Sequence, residues 1–137
     1  MVQFYLLAVV INILGGLVLA SGTIEDKMPA VRALQESLSQ NSAVRVIAII
    51  VMLATALFKI LSVTSGDVPV VGDLVPALSL VALAFVFFLE YYQDRSNVKS
   101  ASFERLESVF IGNKSVIGII AIIVGIVHFL FPRVLFL

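Results

Sequence analysis

Cysteine is absent from this chain of 137 residues, which excludes disulfides, thiolate catalysis and sulfur-bound metals together. A single histidine, His128, excludes a multi-histidine metal centre or a bis-histidine haem within one chain. No glycine-rich phosphate loop, nucleophile elbow or HExxH motif occurs. The basic residues are interleaved with acids and form no stripe, so nucleic acid is not an expected partner. These absences lead to the expectation of no independent enzyme activity, no cofactor and no metal.

Charge is also scarce, at 13% of residues, and its gaps are informative. None occurs before Glu25, between Arg45 and Lys59, between Asp73 and Glu90, or between Lys114 and Arg133. A charge at mid-bilayer costs about 3 kcal/mol on insertion scales, so such gaps mark the interiors of membrane spans. Apolar residues make up 61% of the chain and mean hydropathy is +1.13. Apolar runs near residues 3–22, 44–63, 73–92 and 115–137 approach or exceed the roughly 20 helical residues that cross a bilayer. The expected fold is all-α: an integral membrane four-helix bundle forming a single transmembrane domain over 1–137. Val18-Leu19-Ala20 would suit signal-peptide cleavage, but no basic residue precedes the apolar run, so the first span is expected to be retained.

Basic residues orient the bundle. Lys27, Arg32 and Arg45 flank the first connection, and Arg95, Lys99, Arg105 and Lys114 the third; Lys59 and Arg133 lie at the opposite rim. The positive-inside rule places both long connections in the cytoplasm and both termini outside, as in a bacterial or archaeal cytoplasmic membrane. Within those connections, residues 29–40 carry Val31, Leu34 and Leu38 at helical spacing, with Pro29 in the first turn. Residues 100–111 carry Phe103, Leu106 and Phe110 before a Gly112-Asn113 stop. Each predicts a short amphipathic helix along the membrane surface. Each half of the chain then reads span, amphipathic helix, span. Ala48-Ile49-Ile50-Val51 matches Ala121-Ile122-Ile123-Val124 at an offset of 73, suggesting a parallel duplication with halves 1–64 and 65–137.

Small residues mark expected packing faces. Ala8, Asn12, Gly16 and Ala20 recur every fourth position in the first span, and Ala121, Gly125 and His128 share a face in the last. Depth arithmetic then gathers the polar residues. At 1.5 Å per residue, Asn12, Lys59 and His128 all lie about 20 Å from the basic rim, with Asp73 slightly beyond and Thr55 one turn deeper. Asn12, Thr55, Lys59, Asp73 and His128 therefore form a candidate ligand-binding layer, with Lys59 and Asp73 as its ion pair. Each also has a structural explanation: Asp73 as a helix cap, Lys59 snorkelling to the rim, Asn12 as interhelical glue, His128 as a packing residue. Glu90 and Arg45 form a second expected pair, fixing spans two and three side by side.

Two function classes follow. One is a structural or accessory bundle, homo-oligomeric or a subunit of a membrane complex, in contact with membrane lipid. The other is a small-solute or ion transporter or channel that uses the polar layer.

Overall fold

The computed structural model describes residues 2–20, 28–61, 74–95 and 100–131. All secondary structure among them is helical: α1 (Val2–Leu19), α2 (Pro29–Gln40), α3 (Ser42–Leu61), α4 (Leu74–Arg95), α5 (Ala101–Leu106) and α6 (Lys114–Leu130). A π-helical turn, Glu107–Ile111, continues α5. Two helices, α3 and α4, are long and apolar enough to cross a membrane. The α5–π segment and α6, bent by 53°, add a third if they form one span, whereas α1 is apolar but shorter.

Local chemistry sets the boundaries. Asn41 ends α2, its N–H reaching the Ser37 carbonyl, and starts α3, its Oδ1 accepting from the Ala43 and Val44 amides at 3.1 and 3.4 Å. Ser100 caps α5 by accepting from the Phe103 amide. Helix α4 runs three residues past the expected end at 92, because no glycine or proline stops it and Asp94 and Arg95 both find partners on neighbouring elements. Helix α6 stops at Leu130, short of the expected 137. Phe131 precedes Pro132, and a residue before proline is driven out of the α region.

The long helices alternate in direction and pack as a bundle. The most extensive interfaces are α1–α6 and α3–α4; α1 also touches α4, while α3 and α6 do not meet among the described residues. Small residues make α1–α6 close. A Cβ on Gly16 would lie 2.5 Å from the Gly118 carbonyl oxygen, and one on Gly118 would lie 2.5 Å from that of Gly16. Only glycine lets these backbones approach so far. Leu19, Leu83, Val86 and Phe87 centre the core, with Leu38 of α2 and Phe110 of the π turn closing it from one end. Phe110 meets Phe85 edge-on at 4.8 Å, and Phe103 meets Tyr92 at 4.5 Å. The large exposed side chains on the bundle flanks are apolar, including Ile47, Ile50, Leu57, Leu78, Ile123 and Leu130.

Candidate functional site

Four of the five polar residues singled out by depth, Asn12, Thr55, Lys59 and His128, are buried, none more than 3% exposed. Asp73, the fifth, lies outside the described residues, and with it the proposed Lys59–Asp73 pair. The others come from three helices: Asn12 from α1, Thr55 and Lys59 from α3, His128 from α6.

Asn12 Nδ2 donates to the Ala8 carbonyl at 3.0 Å and approaches the Pro76 carbonyl of α4 at 3.5 Å, the long limit for a hydrogen bond. Its Oδ1 is buried with no hydrogen-bond partner among the described residues. Thr55 Oγ1 donates back to the Val51 carbonyl at 2.7 Å, satisfying its hydroxyl within α3. Lys59 is buried against α1. Its Nζ stands 5.6 Å from the centroid of the Tyr5 ring, within cation–π range.

Tyr5 joins this group from the start of α1. Its ring lies 4.8 Å from that of His128, and its hydroxyl shares its one proton between the His128 and Phe129 carbonyls, at 3.0 and 2.9 Å. The last carbonyls of any helix lack intrahelical partners. In α6 the shortage is built in, because the partner that the His128 carbonyl would use in a continued helix is residue 132, a proline without an N–H. The available sequence signal was spacing. Tyr5, Ala8 and Asn12 sit at i, i+3 and i+7, so a tyrosine at that position shares the buried face of α1.

The opposite end of the bundle holds a second polar group. Arg45, 7% exposed, donates from Nε to the Leu38 carbonyl at 3.0 Å and from Nη1 to Asp94 Oδ2 at 2.7 Å. Lys114 Nζ lies 3.2 Å from Glu90 Oε1. The expected Arg45–Glu90 pair is thus replaced by two. Extension of α4 brings Asp94, one turn beyond Glu90, to Arg45, and α6 begins with Lys114 beside Glu90. Among the described residues no cluster of three or more metal-ligating side chains occurs.

The described residues therefore form an all-helical bundle with two or three helices fit to cross a membrane, consistent with a membrane protein. A protein family of unknown function matches residues 1–128, and the chain belongs to that family. No curated protein and no solved structure matches it.

Proposed function

We propose that this protein is a four-span integral membrane bundle acting as a structural or accessory subunit of a membrane assembly. The spans are α1, α3, α4 and α6, with both termini outside and α2 and α5 along the cytoplasmic face. One observation carries the reading: buried polar side chains face the bundle interior while its flanks are apolar, the arrangement hydrocarbon solvent demands. The polar interior is occupied by the protein's own groups, with Tyr5, Asn12 and Thr55 bonded to backbone carbonyls.

Duplication fits the packing. Exchanging α1 with α4 and α3 with α6 carries the α1–α6 interface onto α4–α3, and α1–α3 onto α4–α6. Burial aligns at an offset of 69, one turn from the 73 taken from residue identities. Ile49, Met52, Thr55, Ala56 and Lys59 then fall on Gly118, Ala121, Val124, Gly125 and His128, and all are buried. Lys59 and His128 become equivalent positions of the two halves.

A second reading, a small-solute or ion transporter, is favoured by that pair of buried basic side chains about Tyr5. Mild-detergent extraction from native membranes followed by native electrophoresis separates the two. The accessory reading expects a discrete assembly larger than the 14.8 kDa chain and no solute flux from the purified protein in liposomes. A flux abolished by Lys59→Met would replace it with the transporter.

A further inference from the structure

Two clefts abut at the end of the bundle that carries Arg45 and Lys114. The first, of about 260 Å³, is lined by Gln35 and Ser39 of α2 and by the Arg45, Asp94, Glu90 and Lys114 side chains. The second, also about 260 Å³, is wholly apolar and runs between α1 and α3, along Ile11, Leu14, Ala48 and Val51. Val18, Leu38 and Phe87 line both. Helix α2 lies across the boundary: Leu34 faces the groove, Gln35 and Ser39 the polar cleft, and Leu38 both. From Val44 to Met52 the groove follows α3 for about 12 Å at 1.5 Å per residue.

We infer that this composite site binds one membrane phospholipid with a zwitterionic amine–phosphate headgroup, its headgroup in the polar cleft and an acyl chain in the groove. Charge complementarity selects the occupant. Among the described residues the cleft presents two cations and two anions, Arg45 with Asp94 and Lys114 with Glu90. A headgroup with one positive and one negative group adds to this set without a net excess of either sign. An anionic headgroup would meet two carboxylates with no cation of its own to offset them. Capacity remains for it: the Arg45 bonds to Leu38 and Asp94 engage two of five guanidinium N–H donors, and an ammonium carries three. Among the described residues the groove offers no polar atom, which suits a hydrocarbon chain.

The site rests on the membrane-spanning reading, and the test separates the two. The chain has no tryptophan, so an introduced one reports alone. Leu14→Trp places a reporter at the groove and Ile120→Trp another on the exposed flank of α6. Each is reconstituted in phosphatidylglycerol vesicles containing increasing phosphatidylethanolamine brominated on its acyl chain. Half-quenching at Leu14→Trp is expected at roughly a tenfold lower mole fraction than at Ile120→Trp, the effect of one charge-assisted hydrogen bond. Adding Glu90→Gln with Lys114→Gln, which removes both charges and strands neither, should erase the difference. Equal quenching of both reporters in the parent protein would reduce the site to ordinary lipid contact. Stronger quenching by brominated phosphatidylglycerol would overturn the zwitterionic assignment. Quenching at Ile120→Trp alone would mean the groove is filled from elsewhere, as by a second copy. Quenching of neither would overturn the membrane reading itself.

Discussion

Pro132 has no N–H to offer the His128 carbonyl, and the Tyr5 hydroxyl supplies a donor from a different helix. A residue near the start of the chain thus caps a helix near its end, at a partly buried contact. Loss of that hydroxyl removes a hydrogen bond from a partly buried carbonyl, which costs about 0.5–1.5 kcal/mol. Tyr5→Phe should lower thermal stability accordingly while keeping the ring beside Lys59 and His128. A melting temperature equal to that of the parent would show that the α6 carbonyls find other donors. Neither the tyrosine nor the proline announces this contact alone, because the donor and acceptor are 123 residues apart.

Among the elements, the α1–α6 contact depends on missing side chains more than on those present. Gly16→Leu would drive a Cβ into the Gly118 carbonyl and the Ile122 side chain. Overpacking of that kind costs typically 1–3 kcal/mol, and the nearest atom here is backbone, which yields least. Gly16→Leu should therefore melt well below the parent in detergent, whereas Leu6→Ile on the exposed flank should not. Indifference to Gly16→Leu would separate α1 from α6. The α2–α3–α4 junction makes a different prediction. Arg45 bonds the Leu38 carbonyl while buried, but its carboxylate partner Asp94 is 62% exposed on its side chain. Arg45→Met should cost about 1.5–3 kcal/mol, mainly through the carbonyl bond. Asp94→Asn should cost under about 1 kcal/mol and become neutral at high salt, as exposed ion pairs do. Urea or thermal unfolding of the two variants distinguishes them, and equal losses would move the weight of the junction onto the ion pair.

At the scale of the whole molecule, alternation of helix direction places the Tyr5–Lys59–His128 group at one end and the Arg45–Glu90–Lys114 group at the other. Topology tests whether a bilayer lies between them. The chain has no cysteine, so single cysteines at Ser39, Ser102 and Ser65 can be labelled without background. An impermeant thiol reagent should reach Ser39→Cys and Ser102→Cys from the cytoplasmic side and Ser65→Cys from outside. Labelling of Ser39→Cys and Ser65→Cys from the same side would remove α3 as a span.

Hydrophobic patterning and the gaps between charges made the helices legible in one dimension. The helix over 29–40 and the Gly112-Asn113 break stand where the residues put them, because proline, glycine and apolar spacing act within a turn or two of chain. The inward turn of Asn12, Thr55 and His128 was legible for a related reason, since small and polar residues at helical spacing define a face before any partner is known. Partner choice was not. Sequence grounds paired Arg45 with Glu90, and the length of α4 and the entry of Lys114 at the start of α6 gave it Asp94 instead. Nothing along the chain laid Tyr5 against the end of α6. Periodicity says which way a side chain faces along its own helix; which other helix lies there, and at what height, is set by packing between elements far apart in the chain.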